Sequence, residues 1–185
     1  MRTLQAIRIV MGIAAFAFML LGQVVNQGWG MAARPPVVGL PAPEFQLPDL
    51  EGHVRHLSQY RGQIVLLNFW ATWCKPCTIE MPAMQAAHER LRDQGLVVLA
   101  INELEDTQRV VEHILTHGHT FPVLLDHDNR VANLYGVVGL PVSVFVDEDG
   151  RVQEYIRGGL LTEQKIREVM DRLRARPDGR TTALR

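Results

Sequence analysis

The residues with the clearest chemical capacity are the only two cysteines of the chain, which lie three positions apart in Trp73-Cys74-Lys75-Pro76-Cys77. On the first turn of a helix, two residues with this spacing have Cα atoms about 5–6 Å apart, which is within the range of an unstrained disulfide. Such a pair can open and close without movement of the backbone. The spacing therefore predicts reversible thiol–disulfide chemistry.

The expected position of Cys74 makes it the attacking sulfur. At a helix N-terminus, unpaired N–H groups and the helix dipole stabilise a thiolate, and Lys75 adds a nearby positive charge. Settings of this kind lower the pKa of a cysteine from about 8.5 to about 3.5–7.5. Cys77 lies one turn further in, is more shielded, and can attack a mixed disulfide on Cys74. We therefore predict that Cys74 attacks and Cys77 resolves.

Three other uses of a cysteine pair are disfavoured. A structural disulfide gains little from closing so short a loop, because the entropic benefit grows with loop length. A zinc site needs about four ligands, and apart from His117-x-His119 no second Cys-x-x-Cys or paired-histidine motif supplies the other two. Covalent haem attachment needs a histidine after the second cysteine, but residue 78 is Thr78. Redox chemistry is the use that remains favoured.

Two segments must position the cysteines. Residues 64–70 form an almost unbroken apolar run, which is typical of a strand buried on both faces. Residues 75–94 have helical periodicity, and Gly95 is predicted to end the helix. The positions that carry this periodicity are Met81, Met84, Ala87, His88 and Leu91. The cysteines are thus predicted at the junction of a buried strand and a helix.

The rest of the chain alternates between strand and helix patterns. Strands are predicted at residues 44–47, 53–57, 96–101, 122–125, 142–146 and 151–156, and helices at residues 107–117, 129–135 and after a capping Thr162. Asp147-Glu148-Asp149-Gly150 is a strong hairpin turn. This order predicts an α/β domain of about 140 residues, with a mixed sheet between layers of helices.

The N-terminal region has the pattern of an export or anchor segment. Residues 9–25 contain Gln23 as their only polar side chain, and Arg2 and Arg8 precede them. The run is at the short end for a membrane span of about 17–25 residues and exceeds a signal-peptide core of about 7–15. We predict an uncleaved anchor, rather than a cleaved signal or a buried helix, with the N-terminus in the cytoplasm. Both an uncleaved anchor and a cleaved signal would place the domain in an oxidising compartment outside the cytoplasm.

The charge and the composition limit the possible partners. The net charge is −1, and 17 basic residues face 20 acidic ones after position 33. A charge balance of this kind lacks the excess of basic residues that is typical of nucleic-acid-binding domains. Residues 26–43 are rich in Gly, Pro and Ala and read as a linker. The arginine-containing C-terminus is predicted to be a frayed, solvated tail.

Residues 65–77, followed by Glu80-Met81-Pro82, resemble the TlpA/ResA branch of the thioredoxin superfamily, a group of membrane-tethered thiol–disulfide oxidoreductases. The similarity covers roughly residues 37–172 and includes Ala42-Pro43-Glu44-Phe45 and Gly139-Leu140-Pro141. The resemblance implies a thioredoxin-like fold with a mixed central sheet flanked by helices. We accordingly expect an N-terminal hydrophobic anchor helix and linker at residues 1–33, the thioredoxin-like domain at residues 34–176, and a flexible tail at residues 177–185.

The resemblance also implies which residues contact a substrate. In the family, the proline matching Pro141 forms a cis peptide bond opposite the cysteines, and its loop, which includes Leu140, pairs with the substrate backbone. Trp73 is expected to flank the reactive sulfur, and Lys75 and Pro76 are expected to line the same substrate-binding surface.

Asn68 departs from general thioredoxins, which have a buried aspartate at this position that assists proton transfer to the resolving thiol. Asn68 cannot titrate. In the TlpA/ResA branch, a glutamate at the position of Glu80 is thought to take over this role. Glu80 lies one turn beyond Cys77 and can share a helix face with it; the alternative is a solvated helix glutamate. Pro82 resembles the proline that kinks the first long helix, and Trp70 is expected in the core.

The resemblance implies a reductant of partner-protein disulfides in the periplasm, held to a bacterial-type cytoplasmic membrane by a single pass. A membrane thiol reductase would recharge it, and neither cofactor nor metal is needed because the sulfurs carry the electrons. Cytochrome c maturation is one candidate pathway. The alternatives are an oxidant or isomerase, a thiol peroxidase, which the start Ala42-Pro43-Glu44-Phe45 also resembles, and a haem- or copper-delivery module that uses Cys74 and Cys77 as ligands.

Overall fold

A computed structural model describes residues 34–175 of the protein. The strands are β1 (Gln46–Pro48), β2 (Val54–His56), β3 (Ile64–Trp70), β4 (Leu96–Glu103), β5 (Val123–Asp126), β6 (Val142–Val146) and β7 (Val152–Arg157). The helices are α1 (Lys75–Leu91), α2 (Thr107–His117), α3 (Arg130–Leu134) and α4 (Glu163–Arg174). The short 3-10 helices Leu57–Tyr60 and Arg92–Gln94 follow β2 and α1.

Five strands form one mixed sheet in the order β5-β4-β3-β6-β7, and β1 and β2 form a separate antiparallel hairpin. The strand β3 pairs in parallel with β4 and antiparallel with β6, while β5 is parallel to β4 and β7 is antiparallel to β6. Because β3 has neighbours on both edges and layers on both faces, all seven of its residues are buried. The predicted mixed sheet flanked by helices is confirmed, and the fold is thioredoxin-like.

The alternation of side chains along β3 separates two cores. One face of the sheet packs against apolar residues of α1, α2 and α4, through Ile64, Leu66 and Trp70 of β3. The other face packs against α3, the β1–β2 hairpin and Tyr135, through Val65, Leu67 and Phe69. The disulfide-forming cysteines belong to the first core. Trp70 is fully buried there, as the sequence predicts.

The predicted bounds of helices and strands agree best with the structure where the apolar periodicity of the sequence is strong. The helix α2 has the predicted bounds, whereas α1 ends at Leu91 and gives way to a 3-10 turn closed by Gly95 at φ 91°. The strand β4 extends beyond the predicted residues to Glu103, and β1 is shorter and shifted. The helix α1 contains Pro82 within its span.

In the part of the chain between residues 34 and 175, no helix is both long enough and apolar enough to cross a membrane. The predicted anchor at residues 9–25 and the predicted tail at residues 177–185 lie outside the described residues.

The start of α4 provides a test of the fold. The Thr162 Oγ1 accepts a hydrogen bond from the Lys165 backbone N–H at 3.1 Å, and the helix then buries Ile166, Val169, Met170 and Leu173. We expect Thr162→Ala to lower the free energy of unfolding by about 1 kcal/mol, because an N-cap acceptor is lost. Urea denaturation measures the change, and Thr162→Ser, which keeps the acceptor, is the control. Equal stability of the alanine and serine variants would contradict the capping role.

Candidate active site

Cys74 and Cys77 form a disulfide, with the two Sγ atoms 1.98 Å apart and the two Cα atoms 5.3 Å apart. The Cα distance lies inside the interval expected from the Cys-x-x-Cys spacing on a first helical turn. Both cysteines of the chain are used in this bond.

The junction between β3 and α1 brings the two sulfurs together. After Trp70 the chain makes a turn closed by a hydrogen bond of 3.1 Å from the Cys74 backbone N–H to the Ala71 carbonyl oxygen. Cys74 is then the N-cap of α1, and its Sγ accepts a hydrogen bond of 3.3 Å from the Cys77 N–H. A proline is tolerated at Pro76 because N–H groups in the first turn have no partner within the helix. The first turn of the helix thus directs one backbone donor, the Cys77 N–H, at the Cys74 sulfur.

The two cysteines differ in exposure. Cys74 retains 4% of its surface, whereas Cys77 retains none. Around Cys74, Trp73 is 68% exposed, and Lys75 and Pro76 are also exposed. Of the two cysteines, only Cys74 therefore keeps exposed surface, and these three residues form an exposed rim beside it.

The Leu140–Pro141 peptide bond is cis, in agreement with the resemblance. Pro141 directly precedes β6, whose first residue, Val142, pairs with Phe69 near the end of β3. This register places Pro141 beside the carboxyl end of β3, which is the end that leads to the cysteines. The Pro141 carbonyl oxygen accepts a hydrogen bond from the Gly158 N–H at 3.0 Å, and Leu140 packs against both cores.

Glu80 is buried, with only 2% of its surface exposed, so it is not a solvated helix residue. Its carboxylate accepts hydrogen bonds from the Asn68 Nδ2 at 2.7 Å and from the Leu161 backbone N–H at 3.0 Å. The Asn68 Nδ2 also donates to the Ser143 Oγ at 3.0 Å. Burial raises the pKa of Glu80, and the hydrogen bonds from Leu161 and Asn68 offset part of that rise. The structure therefore holds a buried carboxyl with a raised pKa one turn after Cys77.

Sequence reasoning missed Glu105, a second buried carboxylate near the disulfide. It accepts hydrogen bonds from the Thr72 backbone N–H at 2.7 Å and from the Thr72 Oγ1 at 2.6 Å. Thr72 lies in the turn that leads to Cys74. Glu105 follows β4, and the carboxyl ends of the parallel strands β3 and β4 meet at one edge of the sheet. That placement is the sequence signal that could have identified it.

A pair of carboxyl groups occupies the ends of β4 and β5. Glu103 and Asp126 are register partners, and the Asp126 carboxylate accepts hydrogen bonds from the Val131 and Ala132 N–H groups at 3.2 and 2.8 Å. Burial, together with the nearby Asp126, raises the pKa of Glu103 to about 7. The alternation along β4 places Glu103 on the face of the sheet opposite to the cysteines.

Within residues 34–175, one group of three side chains has ligand atoms close enough to hold a metal ion, namely Asp49, Glu51 and His53. The Asp49 Oδ1 already accepts hydrogen bonds from the Glu51 and His53 N–H groups at 3.1 and 2.8 Å, and its Oδ2 pairs with Arg55 at 2.8 Å. These bonds hold the β1–β2 turn. The cysteines do not belong to this group.

A thioredoxin-like sheet with a Cys-x-x-Cys disulfide at the start of its first long helix defines a thiol–disulfide oxidoreductase of the thioredoxin class. Comparison with known proteins agrees with this assignment. The family model described as AhpC/TSA matches residues 38–155. The chain belongs to this family and, within it, is a relative of the ResA thiol–disulfide oxidoreductases.

The chain is 36% identical to thiol-disulfide oxidoreductase ResA of Geobacillus thermodenitrificans, over 90% of this chain and 97% of that protein. It is 38% identical to ResA of Geobacillus kaustophilus, over 84% of this chain and 91% of that protein. Among solved structures, it resembles a thiol:disulfide interchange protein of the thioredoxin family from Chlorobium tepidum with a TM-score of 0.66 and 25% identity. That alignment covers 77% of this chain and 99% of the other.

The burial of Glu80 predicts a pH dependence of stability. Because its pKa is raised in the folded chain, the protonated carboxyl supports folding below the usual pKa of 4.5, and that contribution is lost as the pH rises through the folded pKa. Glu80→Gln removes the titration. We therefore expect the stability of the parent relative to Glu80→Gln to be highest in acid and to decline above the usual pKa.

Urea unfolding of the oxidised proteins between about pH 4 and about pH 8 measures this difference. Glu89→Gln, at an exposed position of the same helix, is the control and should give no comparable decline. If the difference in unfolding free energy between the parent and Glu80→Gln did not change with pH, the Glu80 carboxyl would titrate alike in the folded and unfolded chains. That result would contradict the prediction.

Proposed function

We propose that the protein reduces disulfides of partner proteins outside the cytoplasm. The Cys74 thiolate attacks one sulfur of the partner's disulfide; a mixed disulfide forms and the other partner sulfur leaves as a thiolate. Cys77 then loses its proton and attacks the Cys74 Sγ, which releases the second partner sulfur. Two electrons pass from the dithiol to the partner, and the Cys74–Cys77 disulfide is left.

The observation that carries this proposal is the asymmetry of the disulfide. Cys74 lies at the helix N-cap, keeps some exposed surface and accepts a hydrogen bond at its sulfur, whereas Cys77 is fully buried one turn inside. An attacking sulfur must meet its partner and carry negative charge, while a resolving sulfur must be protected from other partners. The names of the relatives, which are thiol-disulfide oxidoreductases, support the same reaction class.

The proposed substrate surface surrounds Cys74. It consists of the exposed rim residues Trp73, Lys75 and Pro76, together with Leu140 and Pro141 at the same edge of the sheet. Trp73 offers a large apolar contact area, and the backbone of Leu140, beside the cis bond to Pro141, offers hydrogen-bonding groups to an extended chain.

Glu80 is proposed to accept the proton of Cys77 during resolution. It occupies the position one turn after Cys77, is buried, and has a pKa raised toward the working range of a general base. Asn68, which cannot titrate, would hold the Glu80 carboxylate through its Nδ2.

The cellular setting is part of the proposal. Residues 9–25 would anchor the protein in the cytoplasmic membrane of a bacterium, residues 34–176 would form the periplasmic domain, and residues 177–185 would be a tail. Because each turnover leaves a disulfide, a membrane thiol reductase would have to restore the dithiol. Apocytochrome disulfides, reduced during cytochrome c maturation, are the proposed substrate.

Single-cysteine variants test the assignment of the sulfurs. Reduction of insulin, with dithiothreitol as the electron source, should be lost in both Cys74→Ser and Cys77→Ser. In a separate incubation, with the variants first reduced and the dithiothreitol then removed, Cys77→Ser should accumulate a mixed disulfide with insulin, because no second thiol is present to resolve it. Mass spectrometry and non-reducing gels detect the adduct. An adduct on Cys74→Ser and none on Cys77→Ser would reverse the two roles.

A hydrogen peroxide assay separates this proposal from the peroxidase alternative. The parent protein should reduce insulin while turning over little peroxide under the same conditions. Peroxide turnover that exceeds insulin reduction would favour a peroxidase instead.

The proton-transfer role of Glu80 predicts a changed pH dependence of reduction. In Glu80→Gln, resolution should slow by at least about tenfold near neutral pH, because a general base contributes about 10²–10⁴-fold. Stopped-flow reduction of a disulfide peptide across a pH series measures the effect, with Glu89→Gln as the control. An unchanged pH profile and an unchanged thiol titration would remove Glu80 from the mechanism.

A further inference from the structure

The turn before Cys74 sets where the attacking sulfur lies. Its ends are joined by the hydrogen bond from the Cys74 N–H to the Ala71 carbonyl oxygen at 3.1 Å, and Thr72 and Trp73 are its central residues. Trp73 is largely exposed, so it contributes little to holding the turn in place. Of the two central residues, Thr72 is the one that hydrogen-bonds to side chains of other elements.

Glu105 holds Thr72 at two points. Its Oε2 accepts from the Thr72 backbone N–H at 2.7 Å, and its Oε1 accepts from the Thr72 Oγ1 at 2.6 Å. Two bonds from one carboxylate to one residue fix both position and orientation, and hydrogen bonds to an ionised acceptor are stronger than neutral ones. Only 5% of the Glu105 side chain is exposed, so water competes little for these contacts.

The carboxylate is itself held in place. The Asn102 Nδ2, at the end of β4, donates to the Glu105 Oε2 at 2.8 Å. The Arg109 Nε, on α2, lies 3.4 Å from the Glu105 Oε1 and donates to the Thr72 Oγ1 at 3.1 Å. Leu104 adopts φ 59°, an unfavourable conformation for a leucine, directly before Glu105. The strand β4 and the helix α2 thus anchor the turn through one side chain.

We propose that Glu105 is a positioning residue that keeps Cys74 at the start of α1 when the disulfide is open. In the oxidised protein, the bond to Cys77 already fixes Cys74. In the dithiol that covalent link is gone, and the contacts between Glu105 and Thr72 carry more of the constraint. Because the helix N-terminus stabilises a thiolate only while Cys74 stays at the N-cap, and no thiolate exists in the disulfide, Glu105 favours the reduced state relative to the oxidised state. This inference rests on the proposed function, since it concerns a cysteine pair that cycles.

The choice of variant matters because Glu105→Gln would also remove a negative charge near the thiolate. Thr72→Val removes the hydroxyl, which donates to Glu105 and accepts from Arg109, and it leaves the Glu105 charge and the backbone N–H in place. Thr72→Ser keeps both donors and is the matched conservative variant. Thr120→Val is a second control, because the Thr120 N–H and Oγ1 both bond to the amide of Gln85, at 2.8 and 2.7 Å, in another part of the fold.

The experiment equilibrates the full chain with glutathione redox buffers. Thr72→Val should shift the equilibrium constant about tenfold toward the disulfide. This shift corresponds to a reduction potential of the cysteine pair that is about 30 mV more negative than in the parent. Alkylation of Cys74 in the reduced variant should also require a higher pH, because the sulfur is held less well at the helix N-terminus. Thr72→Ser and Thr120→Val should stay within about twofold of the parent equilibrium constant.

A merely structural role gives a different result. In that case Thr72→Val lowers the unfolding free energy of the oxidised and reduced proteins equally, and the potential and the alkylation profile do not move; this outcome overturns the proposal. A shift of equal size in Thr120→Val would also overturn it. Should Thr72→Val fail to fold, Arg109→Lys keeps the positive charge at this exposed position but loses the Nε donor to Thr72, and it must shift the potential in the same direction.

Failure of the proposed function is visible separately. A parent protein that does not reduce insulin would refute the reductase role, while the comparison of potentials among the Thr72 variants would still decide the role of Glu105.

Discussion

The structure depends on one geometric constraint: two sulfurs must meet at the first turn of a helix that begins directly after a fully buried strand. The strand β3 supplies a fixed starting point because both of its edges are paired and both of its faces are covered. The turn after Trp70 then places Cys74 as the N-cap and Cys77 one turn later, with their Cα atoms 5.3 Å apart. The fold thereby keeps the two sulfurs within bonding distance on a rigid frame.

Polar groups buried around this junction link the chemistry to the fold. Taking a carboxylate or an amide out of water is unfavourable unless it finds hydrogen-bond partners. Glu80 finds them in Asn68 and the Leu161 backbone, and Glu105 finds them in Thr72 and Asn102. One carboxylate thus joins α1 to the segment before α4, and the other joins the active-site turn to β4.

Much of the architecture could be predicted from the sequence, for identifiable reasons. The run at β3 and the periodicity of α2 are strong apolar patterns, and Thr162 is a typical N-cap, so each appears where expected. The end of β4 could not be predicted, because Asn102 and Glu103 interrupt the apolar run although pairing with β5 continues to Glu103. For Glu105, the position after β4 could be anticipated, but its contact with Thr72 across 33 positions could not, because only the folded chain brings the two residues together. The cis bond before Pro141 was expected only through a family resemblance, because X–Pro bonds are mostly trans.

The central claim is that the Cys74–Cys77 disulfide opens and closes reversibly in the folded protein. The most direct test is a redox titration of the full chain in glutathione buffers, with thiols counted by alkylation and mass spectrometry while folding is followed by circular dichroism. The account predicts a reversible two-electron transition in the folded state, in which the ratio of the two forms changes tenfold for each ~30 mV, at a midpoint more negative than about −200 mV. A disulfide that opens only when the chain unfolds would contradict it.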